Sequence, residues 1–214
     1  MNDIAAIRKD YRLQSLNETD ADPNPIRQFD RWWQDALLSR IDEVNAMTLV
    51  TATPDGKPSA RIVLLKGFDN KGFTFFTNYE SRKGQELLLN PQTALVFFWK
   101  ELERQIRIEG SAEKLSADES DAYFKSRPAD SRLGAWSSPQ SAVIGNRDVL
   151  EKNMRALKAK YSYDDIPRPP HWGGYRVVPS LIEFWQGRES RLHDRLQYKW
   201  DAGTENWSRV RLAP

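Results

Sequence analysis

Met47-Thr48-Leu49-Val50-Thr51-Ala52-Thr53-Pro54-Asp55-Gly56-Lys57-Pro58-Ser59-Ala60-Arg61-Ile62-Val63-Leu64-Leu65-Lys66 is the stretch that decides the fold. Two apolar, β-branched runs, 47–53 and 59–66, flank an Asp-Gly pair, which is a strong hairpin signal. Toward the C-terminus, 68–72 reads as a second turn and 73–77 as a third strand. Residues 78–82 lead into a short helix that ends at Asn90-Pro91, and 93–99 and 104–115 are two further strands. Consecutive antiparallel strands with short turns predict a β-barrel, because closure removes exposed edges. The last strands are expected at 175–178, 181–186, 191–198 and 207–212.

Helices surround this core. Pro25 suits a first helical position, with Asn24 as its cap. Ile26, Phe29, Trp33, Leu37 and Ile41 then recur every three or four residues, the spacing of an amphipathic helix. Ser116 and Glu119 form a capping box for a helix through Lys125, which Pro128 stops. Residues 148–161 read as another helix, and 166–172 as a proline-rich loop. The expectation is an α+β protein: one domain over 25–214 with an antiparallel barrel core and peripheral helices. Residues 1–24, polar and carrying Arg8, Lys9, Tyr11 and Arg12, are expected to form a mobile N-terminal arm.

Composition removes several function classes. With 32 basic and 30 acidic residues the chain has no strong field for a polyanion, so no nucleic-acid partner is expected. The absence of cysteine excludes disulfides, thiolate metal sites and cysteine nucleophiles, and with only His171 and His193 no metal site is expected. No run is long and apolar enough to span a bilayer and the first residues carry no apolar leader, so a soluble cytoplasmic protein is expected. No Gly-x-Gly-x-x-Gly, Walker-type loop or Gly-x-Ser-x-Gly is present.

What remains is a set of cations and polar groups. Arg191, His193 and Arg195 follow Gly187 at alternate positions, and a strand would carry all three on one face. That row suits a planar anion and equally suits a solvated edge strand. Arg61 and Lys66 fall on opposite faces of a regular strand and converge only if Lys66 sits at a bend. Arg82 and Lys83, just after Ser81, begin a helix where free N–H groups and the dipole favour a phosphate. Tyr123 and Arg127 share a helix face, with Ser131 just past Pro128, and could seat a second phosphate. Gln105 could read the edge of a heterocycle and Trp185 could stack on one, whereas Gln140-Ser141 carries no signal alone. His171 reads as a loop contact. Spacing and composition give anion sites on a barrel and no reaction.

Together, 61–66, Thr77-Asn78 with Ser81-Arg82-Lys83, Leu102-Glu103-Arg104-Gln105, Ser126-Arg127-Pro128, Gly134-Ala135-Trp136, Trp172-Gly173-Gly174, 183–195 and Arg211-Leu212-Ala213-Pro214 resemble the pyridoxamine 5′-phosphate oxidase family. The resemblance runs from about residue 7 to the last. It implies an FMN-binding split β-barrel and a homodimer with two active sites at the interface. The implied reaction oxidises pyridoxamine or pyridoxine 5′-phosphate to pyridoxal 5′-phosphate, with hydride passing from substrate C4′ to flavin N5 and oxygen reduced to hydrogen peroxide. By motif match, Arg61, Lys66, Phe76, Thr77, Arg82 and Lys83 would contact FMN, as would Gln105, Gln140, Ser141, Trp185 and Arg195. Lys66, Tyr123, Arg127 and Ser131 would hold the substrate phosphate. Arg191 and His193 would orient the pyridine end over the reacting carbon, and Arg8 and Tyr11 match a segment that closes over bound substrate. Phe76 stands where many members have tyrosine.

Three other readings compete with this one. The same barrel could oxidise or reduce another substrate with FMN, against which Tyr123, Arg127, Arg191 and His193 count. It could store flavin or pyridoxal phosphate without turnover. A nucleic-acid module would need a basic run that the chain lacks.

Overall fold

The Asp-Gly hairpin forms where its residues require it. In the computed structural model, which describes residues 4–6 and 10–214, β1 (Ala46–Ala52) pairs antiparallel with β2 (Pro58–Leu64) from Ala46↔Leu64 to Ala52↔Pro58. Gly56 takes φ +83°, which a side chain would resist, and its N–H donates to the Thr53 carbonyl at 2.9 Å. Alternation along β1 turns Met47, Leu49 and Thr51 inward.

The sheet continues with β3 (Gly67–Asp69), β4 (Gly72–Asn78), β5 (Gln92–Trp99), β6 (Arg104–Lys114), β7 (Trp172–Gln186), β8 (Asp194–Asp201) and β9 (Asn206–Arg211). Its order is β2-β1-β5-β6-β7-β4-β3, with β8 on β7 and β9 on β8. β2 and β3 lie at the two ends of that order, yet only Leu65 and Lys66 separate them in the chain. So short a link forces the sheet to curl back on itself, which gives the expected antiparallel split barrel. β3 falls inside the expected second turn, which shrinks to Asn70-Lys71. Asp69 Oδ1 holds that turn by accepting from the N–H groups of Lys71 and Gly72.

β7 is where the sheet splits. Its first half pairs with β4 and its second half with β8, while β6 runs along both. The sequence suggested two strands broken at Pro179-Ser180, but one strand passes through. A register shift between Glu109 and Gly110 leaves Ser180 without a partner in the ladder, a bulge beside Pro179, which is where a residue without N–H is tolerated. A Cβ on Gly110 would lie 2.1 Å from the Val178 carbonyl oxygen, so this crossing requires glycine.

α1 (Pro25–Leu38) covers the core. Asn24 Oδ1 accepts from the N–H groups of Ile26 and Arg27, as a cap should. The buried face is Ile26, Phe29, Trp32 and Ala36, one residue out of phase with the expected stripe beyond Phe29. Of the remaining expected residues, Trp33 and Ile41 pack partly buried against the core, Ile41 from past the helix end, while Leu37 is 46% exposed. Phe29 meets Phe68, Phe73 and Phe97 edge to face, and Trp32 lies under the Arg104 guanidinium at 4.4 Å, which fixes the phase.

Four further helices, α2 (Arg82–Leu89), α3 (Ala117–Ser126), α4 (Ala129–Ser137) and α5 (Asp148–Lys160), flank the barrel. The Ser116–Glu119 capping box is present. α4 was not expected: Pro128 ends α3 and also begins α4, its carbonyl accepting from Arg132 N–H at 3.0 Å. Phe124, Leu133, Ile166 and Trp172 form a small second core here.

Residues 10–24 belong to the expected arm, and the structure bonds them to the barrel. Arg12 and Leu13 donate their N–H groups to Glu103 Oε2, Leu16 donates to Asp194 Oδ2, and Tyr198 Oη donates to the Asp22 carbonyl. Arg8 lies outside the described residues. Among the described residues, no helix is long and apolar enough to cross a membrane.

Candidate active site

The expected site residues gather at two places, one near each end of β7. The first is a cleft of about 530 Å³ lined by Arg61, Lys66, Phe76, Thr77, Lys83, Tyr123, Arg127, Ser131 and Gln140, with Asn78 and Trp172. β2 ends at Leu64, and the chain bends before β3, held by Lys66 N–H donating to the Thr74 carbonyl at 2.8 Å. That bend meets the condition for Arg61 and Lys66 to line one cleft.

α2 brings the next cations. Ser81 caps it, accepting from Gly84 N–H. Lys83 Nζ donates to Gln140 Oε1 at 3.0 Å, and Thr77 Oγ1 donates to the same oxygen at 3.3 Å. Burial, and then the charge of Arg61, lowers the pKa of Lys83. Arg82 and Ser141 line an adjoining hollow of about 340 Å³ that shares Asn78 and Gln140 with the cleft. Ser141 takes φ +72° there.

α3 and α4 supply the opposite wall. Arg127 lies over the Trp172 ring at 4.7 Å, and burial lowers its pKa. Its Nη1 is buried with no hydrogen-bond partner among the described residues. An unpaired buried cationic donor is costly, so the geometry suits an anion at that nitrogen. Phe76 stacks on Tyr123 at 3.8 Å, and both rings lie nearly parallel to Trp172. Phe76 therefore builds the wall that holds Tyr123.

Glu86 was not foreseen as part of this site. Its buried carboxylate accepts from Thr51, Ser59 and Arg61 on one oxygen and from Arg82 on the other. The i,i+4 spacing from Arg82 was visible in the sequence, but only the packing of α2 against β1 and β2 brings in Arg61.

The second place holds Tyr11, Gln105, Trp185, His193 and Arg195. Gln105, Trp185 and Arg195 are neighbours across β6, β7 and β8. Trp185 and His193 have ring centroids 4.6 Å apart, and Tyr11 meets both edge to face. A Cβ on Gly187 would fall 2.7 Å from the Tyr11 ring, so glycine lets Tyr11 settle here. Arg195 Nε donates to buried Glu183 at 2.8 Å, and Glu183 also accepts from Arg107.

The row of Arg191, His193 and Arg195 on one strand face is not formed. Glu189–Arg191 is a 3₁₀ turn with Ser190 at φ +54° and Arg191 at φ +62°, and β8 begins only at Asp194. The turn folds the loop so that Arg188 N–H donates to His193 Nδ1 at 3.1 Å. Burial, then Arg191, lowers the His193 pKa against the opposing pull of Asp194. A neutral ring with Nδ1 accepting carries its proton on Nε2 and presents a donor.

β7 spans 15 residues, so at about 3.3 Å per residue its two ends lie roughly 45 Å apart along the strand. One copy of the chain holds the two clusters well separated.

A family described as "Pyridoxamine 5'-phosphate oxidase" matches residues 34–161, and one described as "Pyridoxine 5'-phosphate oxidase C-terminal dimerisation region" matches 172–214. The chain is 61% identical over 211 residues to a pyridoxine/pyridoxamine 5'-phosphate oxidase of Trichormus variabilis, covering 99% of this chain and 98% of that one. It is 59% identical over 215 residues to the Burkholderia cenocepacia protein of the same name, covering 100% of both. Among solved structures it is similar to PhzG from Burkholderia lata 383 in complex with tetrahydrophenazine-1-carboxylic acid, with a TM-score of 0.88 at 33% identity over 94% of this chain and 99% of that one. A pyridoxamine 5'-phosphate oxidase-related, FMN-binding protein of Nostoc punctiforme shares the fold, with a TM-score of 0.71 at 19% identity over 90% of this chain and all of that one.

Proposed function

The chain belongs to the pyridoxamine 5′-phosphate oxidase family of oxidoreductases, and from that membership we propose that it oxidises pyridoxamine and pyridoxine 5′-phosphate to pyridoxal 5′-phosphate as an FMN-dependent homodimer. The observation that carries this reading is the buried, unpaired Arg127 Nη1 in a cleft that also holds Arg61, Lys66 and Lys83. Cofactor and substrate each bring a phosphate, and the cations divide accordingly. Arg61, Arg82 and Lys83, with Gln140 and Ser141, would hold the phosphate of FMN, flanked by Phe76 and Thr77. Lys66, Tyr123, Arg127 and Ser131 would hold that of the substrate.

The second cluster completes the site from another copy of the chain. The match to a dimerisation region over 172–214 and the separation along β7 both support this arrangement. Gln105, Trp185 and Arg195 of one protomer would meet the flavin seated on its partner. Arg191, His193 and Tyr11 would meet the pyridine end of the substrate, and Arg8 would join them as part of a closing arm.

FMN, when bound, supplies the acceptor for the C4′ hydride and returns the electrons to oxygen as hydrogen peroxide. The protein binds, aligns and dries two flat rings. His193 donates from Nε2 and orients the substrate. Arg191 adds a positive charge beside it.

The test is anaerobic addition of pyridoxamine 5′-phosphate to the FMN-loaded protein, followed by air. The flavin absorbance should bleach and then return with peroxide and pyridoxal 5′-phosphate. Flavin that binds but stays oxidised would shift the assignment to another substrate, such as a carboxylated tricycle of the kind bound to PhzG.

A further inference from the structure

We propose that Glu86, which touches neither phosphate, is the positioning residue that gives the cofactor-phosphate seat its shape. The inference rests on the reading that Arg61 and Arg82 bind the phosphate of FMN. Glu86 sits in the second turn of α2 with its carboxylate sealed between the helix and the β1–β2 hairpin. Oε2 accepts from Thr51 Oγ1 at 2.5 Å and Ser59 Oγ at 2.6 Å, which fixes the carboxylate to the sheet. The same oxygen faces Arg61 Nη2 at 3.4 Å, and Arg61 is tied further to the Leu49 carbonyl, Thr51 and Ser59. Oε1 accepts from Arg82 Nε at 2.9 Å.

The last contact is the informative one. The Arg82 side chain is 65% exposed, and the bond to Glu86 engages only its Nε. Its two terminal nitrogens make no bond to the described residues and remain as a fork, the shape that binds phosphate through two parallel bonds. Without Glu86 the fork would hang on a long, freely rotating chain. One buried carboxylate thus aims one cation from the helix and another from the hairpin at a common point.

Two effects of removing the Glu86 charge oppose each other. The positive potential of the seat would rise, which favours phosphate by about fivefold where the exposed Arg82 side of the seat lets solvent screen the anion from the buried carboxylate. Arg82 would have to be ordered by the ligand itself, which disfavours binding by roughly thirtyfold for a long cationic side chain. The ordering effect wins, so loss of the carboxylate weakens the seat. A glutamine cannot replace it: the hairpin hydroxyls, which already accept from Arg61, and Arg82 donate to different oxygens, and the amide would turn its NH2 donors toward one of them.

The experiment titrates apoprotein with FMN and, separately, with riboflavin, following flavin fluorescence for the unaltered chain and Glu86→Gln. Riboflavin shares the ring and lacks the phosphate. The expected result is an FMN dissociation constant raised about tenfold in Glu86→Gln, with riboflavin binding within about twofold of the unaltered chain. An equal loss for both flavins, or no loss for either, overturns the proposal. Should Glu86→Gln fail to fold, Ser59→Ala, which withdraws one anchor of the carboxylate, is expected to show the same selectivity at about threefold. An unaltered chain that binds neither flavin overturns the functional reading as well, whereas an unaltered chain that binds FMN no more tightly than Glu86→Gln overturns the positioning role alone.

Discussion

The two ends of β7 solve opposite problems. At the Trp172 end, cations from β2, α2 and α3 converge within one chain on a cleft braced from behind by Glu86. At the Trp185 end, Glu183 similarly braces Arg195, yet the side chains it supports form an open face, and Leu192 beside them is 70% exposed. The first end is a receptacle complete enough to hold phosphates. The second is half of an enclosure, with aromatic rings and a histidine displayed for something lying outside the chain. A site that uses both, as in the proposed homodimer, would take them from two copies.

Breaking the receptacle should have the largest effect. Arg127→Met removes a buried charge-assisted donor worth about 1.5–3 kcal/mol. KM for pyridoxamine 5′-phosphate should rise roughly tenfold to more than a hundredfold, while FMN content, read from the absorbance ratio, stays unchanged. Loss of FMN together with substrate would show that the two phosphates do not occupy separate halves of the cleft.

At the other end, Gly187→Ala would push a methyl group into the Tyr11 ring. KM should rise several-fold, with an unfolding free energy lowered by no more than about 1–3 kcal/mol. Unchanged kinetics would mean that Tyr11 does not act where it packs against Trp185 and His193.

The pH responses are smaller and separate the two ends. Burial alone would raise the pKa of Glu86, but bonds from Ser59, Thr51 and Arg82 outweigh it and bring it to about 2, from 4.5 in the unfolded chain. A carboxylate so depressed stabilises the fold fully above 4.5 and loses that contribution as pH falls toward 2. Urea unfolding across pH 5 to 3 should therefore show a loss of stability that Glu86→Gln diminishes. His193 has its pKa lowered from 6.5 by burial and Arg191, so the unfolded chain takes up its proton first. Its contribution is present above 6.5 and declines as pH falls through the folded value, and His193→Gln should flatten that slope.

Much of the barrel was legible because its signals are local. Asp55-Gly56 makes its own turn, Ser116 and Glu119 make their own cap, and Asn24 holds the start of α1. What escaped depends on tertiary contact. α4 follows so closely on Pro128 that one residue both ends a helix and begins another. β7 survives Pro179 because its neighbour β6 shifts register there. The alternation of Arg191, His193 and Arg195 looked like a strand face, but two consecutive left-handed residues, Ser190 and Arg191, turn the loop instead. In the site, the cations now proposed to hold phosphate could be picked out from their positions at a helix start and a strand end. The role of Glu86 could not, since it arises where α2 meets β1 and β2. Nor could the sequence reveal that the matched residues fall into two distant groups.

The most direct measurement of that division is subunit complementation. Arg127→Met carries a defective receptacle, and the double substitution Trp185→Ala with His193→Ala carries a defective face. Assayed with substrate well below the KM of the unaltered chain, where rate follows kcat/KM, each should retain about a tenth of the activity or less. Unfolded together and refolded at equal concentration, half of the randomly paired dimers are hybrids, and each hybrid has one site with both parts intact. The account predicts a return to about a quarter of the unaltered activity. Activity that stays at the level of the separate variants, in a mixture shown to contain hybrid dimers, would contradict it and place both clusters in one protomer's site.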